Sequence, residues 1–211
     1  MTIDSRLRAA LTAESASDRL QAALSAGTHP NPAFVEALVE RCAVETDFYV
    51  REMLTWALVR HPASIAVPLV IDQTRSQLPQ ARSQALHTLS KIGDPLGWEA
   101  ITPALLLDAD DDVARTAWRA AVVLVPEQRE GELATTLSAL LGRGGRDSKL
   151  SLTRALAELG DAAWPALNEA STHPNLDVRI HAAATARIID DPDEGFDSAM
   201  YEATKSVGGA I

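Results

Sequence analysis

The sequence predicts an all-α chain, a solenoid of stacked helix pairs, and three observations predict it. Starting from Arg82, apolar residues follow at three, seven and ten positions: Ala85, Leu89 and Ile92. These offsets fall on one face of a helix with 3.6 residues per turn. The same stripe starts from Arg51 (Leu54, Leu58), Arg115 (Trp118, Val122, Val125), Lys149 (Leu152, Leu156, Leu159) and Arg179 (Ala182, Ala186, Ile189). Second, the five origins stand 31, 33, 34 and 30 residues apart, and self-similarity at that period is the mark of a helical repeat array. Third, each stripe ends at a breaker: His61-Pro62, Gly93-Asp94, Pro126, Gly160-Asp161 and Asp190-Asp191-Pro192. A second apolar segment follows each breaker, so every unit reads helix, turn, helix. No segment alternates apolar and polar residues as a half-buried strand would.

Taken in order, residues 2–13 place Ile3, Leu7 and Leu11 four apart, with Asp4 or Ser5 as N-cap. This short helix is expected to cover the open end of the array, since terminal repeats need a polar outer face. Ser17-Asp18 caps a helix through Leu20, Ala23 and Leu24 that ends at Gly27. Thr28 to Pro32 form a rigid turn, and Phe34 to Cys42 complete a degenerate first unit. Five regular pairs are expected at 47–75, 79–107, 112–141, 147–170 and 176–205. Gly142-Arg143-Gly144-Gly145-Arg146 is the richest glycine cluster and the expected flexible joint. The final residues are expected to fray. No linker separates a second domain, so residues 1–211 read as one solenoid domain.

The pattern resembles the HEAT repeat family, particularly its short bacterial form. Asp177-Val178-Arg179-Ile180-His181-Ala182-Ala183-Ala184 carries it best, with Ala81-Arg82 through Ile92-Gly93-Asp94 and Leu152 through Leu159-Gly160-Asp161. The Arg115 unit departs from it, with Val-Ala-Arg for Val-Arg and Pro126 for Gly-Asp. The resemblance covers roughly residues 14–205 and implies a right-handed α-solenoid. It also implies that the recurring Arg51, Arg82, Arg115, Lys149 and Arg179 reach an Asp in the turn, with Asp47 and Asp177 placed to receive theirs. It says little about activity, because such repeats serve many functions.

Composition bounds the function. A formal charge of −10 and a pI near 4.9 oppose a phosphate-binding footprint and binding to anionic membranes. The single cysteine, Cys42, can neither staple the fold nor form a Cys-pair metal motif. No basic leader with an apolar run opens the chain, and no segment approaches 18 apolar residues, so a cytoplasmic location is expected. Asp108-Ala109-Asp110-Asp111-Asp112 lacks the central Gly and distal Glu of a calcium loop and reads as a turn that caps the next helix. Gly142 to Lys149 lacks the Gly-Lys pair of a phosphate loop, although glycine amides with Arg143 and Arg146 could attract an anion. The five histidines form no His-Glu-x-x-His pair, and no Gly-x-Ser-x-Gly elbow occurs. No catalytic residue, metal ligand or cofactor site is expected.

The reading that remains is a non-catalytic protein-binding scaffold or adaptor. Stacked helix pairs form an extended surface, concave on the second-helix side. Those segments carry Glu36, Glu40, Asp72 and Glu202, and such a surface attracts a partner protein with a basic face, a DNA-binding protein among them. Trp56, five residues after Arg51 and off the core stripe, is a candidate anchor, whereas Trp118 and Trp164 occupy core positions. The resemblance keeps a second class open: an enzyme or enzyme accessory, such as a phycobilin-lyase-like subunit or a HEAT-like DNA glycosylase. A glycosylase would need a cationic groove, which the overall charge opposes.

Overall fold

The computed structural model describes residues 3–209. The expectations for residue 2 and for the last two residues lie outside them. Every regular element among the described residues is helical. The chain divides into two compact units, Met1–Ala120 and Ala121–Ile211.

In the first unit, α1 (Ile3–Leu11) precedes α2 (Ala16–Thr28) and α3 (Val35–Val44). Then come α4 (Phe48–Val59), α5 (Ala63–Gln73), α6 (Pro79–Ile92), the short α7 (Pro103–Leu106) and α8 (Asp111–Leu124), which runs across the division. Two rows result. The first helices of each pair pack in sequence as α2, α4 and α6, and the second helices as α1, α3 and α5. The face between the rows is apolar: Leu38, Val50, Leu54, Leu58, Val67 and Leu86 are all buried. Leu54 and Leu58 sit at the offsets expected from Arg51.

The second unit repeats the plan with α9 (Glu130–Ser138), α10 (Arg146–Glu158), α11 (Trp164–Ala170), α12 (Leu176–Asp190) and α13 (Phe196–Gly208). Here α10 packs on α12, α9 on α11, and α12 on both α11 and α13. Ala184, Ala199 and Ala203 meet between α12 and α13. Side chains this small let two helix axes approach closely.

Local differences from the expected elements have local causes. The second segment of the 79–107 pair is a 3-10 turn (Pro95–Ala100) and then α7, because Thr102 precedes Pro103 and is held extended at φ −113°, ψ 154°. Helix α2 is capped by Ser15, which accepts the Asp18 N–H, and not by Ser17. Gly27 lies inside that helix. A Cβ there would meet the Cα of Ala57 at 2.9 Å and run into the Trp56 ring, so α2 and α4 touch where glycine leaves room. Asp4 stands in the first turn of α1 instead of capping it. As expected, the acidic turn before α8 is a cap: Asp110 accepts the N–H groups of Asp112 and Val113. Trp118 is buried and donates its indole N–H to the carbonyl of Leu106 at 2.9 Å, while Trp164 is only half-buried.

Leu156, at the centre of the α10 stripe, has no exposed surface. Leu156→Ala should destabilise the protein by roughly 2–5 kcal/mol, the usual cost of a cavity at a packed leucine. Urea unfolding followed by circular dichroism measures it. A loss below about 1 kcal/mol would show that this position is not core.

Candidate functional site

The recurring arginine proves to be a turn clamp. Arg51 donates Nη1 to the carbonyls of Glu45 and Thr46, six and five residues back (3.1 and 2.9 Å). Arg82 does the same to Ser76 and Gln77 (3.0 and 3.3 Å), and Arg179 to His173 and Pro174 (2.9 and 3.0 Å). Arg19 in α2 grips Ala13 and Glu14 (2.9 and 2.8 Å) and is thus the first member of the series. These turn carbonyls have no partner from the helix ladder, so the guanidinium satisfies acceptors that would otherwise need water.

The expected aspartates are not the partners. Asp47 caps α4 by accepting the Val50 N–H, and the Arg179 guanidinium goes to carbonyls. Carboxylates enter later in the chain. Arg19 forks onto Glu45 (2.8 and 2.9 Å), and Arg82 onto Asp108 (2.9 and 3.0 Å), 26 residues on in both cases. Arg115 departs from the series and pairs with Asp112 three residues before it.

Glu45 is the most connected of these groups. Its side chain is fully buried and also receives Arg41 Nε and the Asp47 N–H, each at 2.8 Å. Its carbonyl accepts Gln80 Nε2 at 2.6 Å. Burial alone would raise its pKa. The hydrogen bonds from Arg19, from the Asp47 backbone and from Arg41 outweigh burial and lower it to about 2.

In the second unit the corresponding turn is held by a histidine. His181 is buried; its Nδ1 accepts the Gly142 N–H at 3.0 Å, so the proton resides on Nε2. Nε2 faces the carbonyl of Lys149 (3.1 Å) and Thr153 Oγ1 (3.0 Å). Burial pushes its pKa down to about 4, which keeps the ring neutral. Gly142 adopts φ +82° against Val178, a conformation suited to glycine. Arg146 is forked onto Asp197 at 2.8 and 2.7 Å. The stretch expected to be a joint is therefore tied down at Gly142 and Arg146, and Arg146 holds the carboxylate of Asp197.

The candidate partner-binding residues separate into distinct places. Glu36 and Glu40 lie one turn apart on α3 with side chains 68 % and 55 % exposed. Both engage Arg8 of α1, which also holds Asp4, so three carboxylates share one guanidinium. Asp72 on α5 is matched by Arg75 at 3.2 Å, and Glu202 on α13 by Lys205 at 3.1 Å. Glu202 belongs to the second unit and the others to the first. Trp56 stands in the other row of helices, 39 % exposed, with its ring against Gly27 and the Arg60 guanidinium 5.9 Å from its centroid. Sequence reasoning passed over its neighbours Phe48 and Tyr49, which are exposed on the same helix. They precede the origin of the stripe at Arg51, so periodicity gave no signal for them. Among the described residues no group of three or more His, Cys, Asp or Glu side chains could hold a metal ion, and no helix is long and apolar enough to cross a membrane.

The family model for HEAT repeats matches residues 35–122, so the resemblance read from the sequence holds over that stretch. Similar solved structures include an engineered protein (18 % identity, covering 96 % of this chain and 98 % of that one, TM-score 0.48). Human deoxyhypusine hydroxylase in complex with glycerol is another (17 %, 97 % and 96 %, TM-score 0.47). A third is the complex of CpcE and CpcF of phycocyanin lyase from Nostoc (14 %, 98 % and 95 %, TM-score 0.41). None of the three brings an activity to this chain. No curated protein matches the sequence.

The linkage at Glu45 is testable. Its pKa is lowered in the folded protein from an ordinary 4.5 to about 2. The stabilisation is full above about pH 4.5 and is lost as the pH falls toward about 2. Glu45→Gln should remove this part of the acid-induced loss and, by leaving Arg19 underpaired, cost roughly 3–5 kcal/mol at neutral pH. Urea midpoints at a series of pH values measure both effects. An unchanged pH slope in the variant would show that Glu45 is not the titrating group.

Proposed function

We propose that this chain is a non-catalytic scaffold that holds a partner protein through acidic groups on its second-helix row. The single observation that carries the reading is the cluster at α1 and α3. Among the described residues, Asp4, Glu36 and Glu40 share the one guanidinium of Arg8, three carboxylates to one cation. Charges so placed draw in a cationic surface and raise its rate of association. Asp72 and Glu202, each paired one to one, add polar contacts to the proposal but little net field. The net charge of −10 supports the same sign of partner. The partner class is a protein with Lys- or Arg-rich surface, including one that itself binds DNA.

A labelled oligolysine peptide serves as probe, with binding read by fluorescence anisotropy. Reversal of the cluster with Glu36→Lys and Glu40→Lys should weaken binding about tenfold, roughly 1.4 kcal/mol, and the difference should shrink as salt screens it. A control pair, Glu158→Lys with Asp161→Lys, makes the same change of net charge on exposed residues of the second unit. It should change binding less than about twofold. Melting temperatures should stay close to the parent, since exposed ion pairs contribute about 0–1 kcal/mol. If both reversals cost the same, the probe reads net charge alone and the cluster is not a site.

A further inference from the structure

The cluster that carries the proposed function is already occupied by a cation of this chain. Arg8 stands on α1, and Glu36 and Glu40 follow 28 and 32 residues later on α3. The guanidinium donates Nη2 to Glu36 Oε2 (2.9 Å), Nη1 to Glu40 Oε2 and Nε to Asp4 Oδ2 (3.0 Å). Each carboxylate thus receives one nitrogen of the planar fork. Leu7 and Leu11, four apart on α1, are buried, and α1 packs on both α2 and α3. Apolar packing therefore seats the helix and presents Arg8 to the two glutamates.

The same packing does not hold the guanidinium. The Arg8 side chain keeps 34 % of its surface in water, and Glu36 and Glu40 keep more. Ion pairs in that setting add little to stability, and their charges are screened by salt. Arg8 can leave both glutamates by rotating its own side chain while Leu7 and Leu11 stay seated. Acceptor capacity is left over as well. Among the described residues each glutamate meets Arg8 through Oε2 alone, and Asp4 Oδ1 is buried without a hydrogen-bond partner. An ionised carboxylate accepts on both oxygens, so a second cation can engage the glutamates before the first departs.

We propose that Arg8 is an autoinhibitory contact: it stands where a lysine or arginine of the partner would stand at Glu36 and Glu40, and the partner binds by displacing it. The inference rests on the reading of this cluster as the site for a basic partner. A cation tethered on α1 is a competing ligand at a fixed local concentration. An incoming cation then binds with an apparent affinity lowered by the fraction of time that Arg8 leaves the glutamates. Removing Arg8 therefore strengthens binding, whereas a contact that only braced α1 against α3 would give no such gain.

The test titrates the whole chain with the labelled oligolysine peptide at low and high salt. Arg8→Gln should tighten binding severalfold at low salt. Arg8→Lys keeps the charge but lacks the fork, and should fall between Arg8→Gln and the parent. Arg154→Gln makes the same change of net charge on an exposed residue of the second unit and should change binding far less. Melting temperatures should stay near the parent's, because Leu7 and Leu11 still seat α1. The proposal is overturned if Arg8→Gln binds no better than Arg154→Gln while Glu36→Lys with Glu40→Lys still weakens binding; the cluster is then the site and Arg8 does not guard it. It is overturned together with the reading of the site if that double reversal costs no more than its own control. A gain from Arg8→Gln that persists at high salt also overturns it, because the probe then meets apolar surface uncovered by a loosened α1.

Discussion

The turns before the first helices depend on one interaction, the guanidinium that closes them. A chain that reverses direction into a helix leaves carbonyls pointing away from any ladder. Arg19, Arg51, Arg82 and Arg179 each take two such carbonyls with a single nitrogen. The planar fork then has its remaining N–H groups free to reach onward, and Arg19 and Arg82 use them for Glu45 and Asp108. Each of those carboxylates lies in the turn that leads into a later first helix. One side chain thereby sets two successive turns, and the packing between them follows. A lysine lacks this fork. At Lys149 the turn is held by the His181 ring, which bonds the Gly142 amide and faces the Lys149 carbonyl.

Polar groups also run through the helix stack itself. Thr55 meets Thr88 at 3.2 Å between α4 and α6, and Thr153 meets Thr185 at 3.1 Å between α10 and α12. All four are buried, and Thr88 and Thr185 also donate to carbonyls four residues back on their own helices. Buried hydroxyls cost free energy unless bonded, and here they bond in register only when neighbouring first helices align at these positions. The apolar stripe supplies attraction; the hydroxyl pairs fix the sliding of one helix along the next.

Most of the fold was legible because a repeat states its pattern several times. The stripe from Arg82 alone would fit many helices, but five origins at nearly constant spacing fit an array. The first helix of each pair came out close to its observed bounds. The second helices were harder to read, since a short segment such as Trp98 to Leu107 carries too few turns to show a period, and Thr102-Pro103 divides it. The arginines were recognised as a series that reaches an Asp in a turn, which Arg82 does at Asp108, yet the carbonyl acceptors and Glu45 were missed. Backbone carbonyls have no signature in a sequence, and Glu45 stands 26 residues from Arg19. Of the candidate contact residues, Glu36 and Glu40 could be placed on one helical face by their spacing. That they share Arg8 with Asp4 could not be read, because α1 and α3 are joined only by tertiary packing. Trp56 stood out as off the stripe, whereas Phe48 and Tyr49 fell at the helix start, where periodicity has not begun.

The close approach of α2 and α4 at Gly27 bears on how Trp56 can act. Its ring rests against a helix backbone with no side chain between them, and a Cβ at position 27 would occupy the same space. Arg60 stands over the ring as well. An indole seated in this way has little rotamer freedom left to lose. Ordering a large exposed side chain ordinarily subtracts from affinity about 0.5–1.5 kcal/mol. At Trp56 that entropy is already given up when the chain folds, so the ring presents a surface fixed in advance, and the glycine beneath it holds that surface in place.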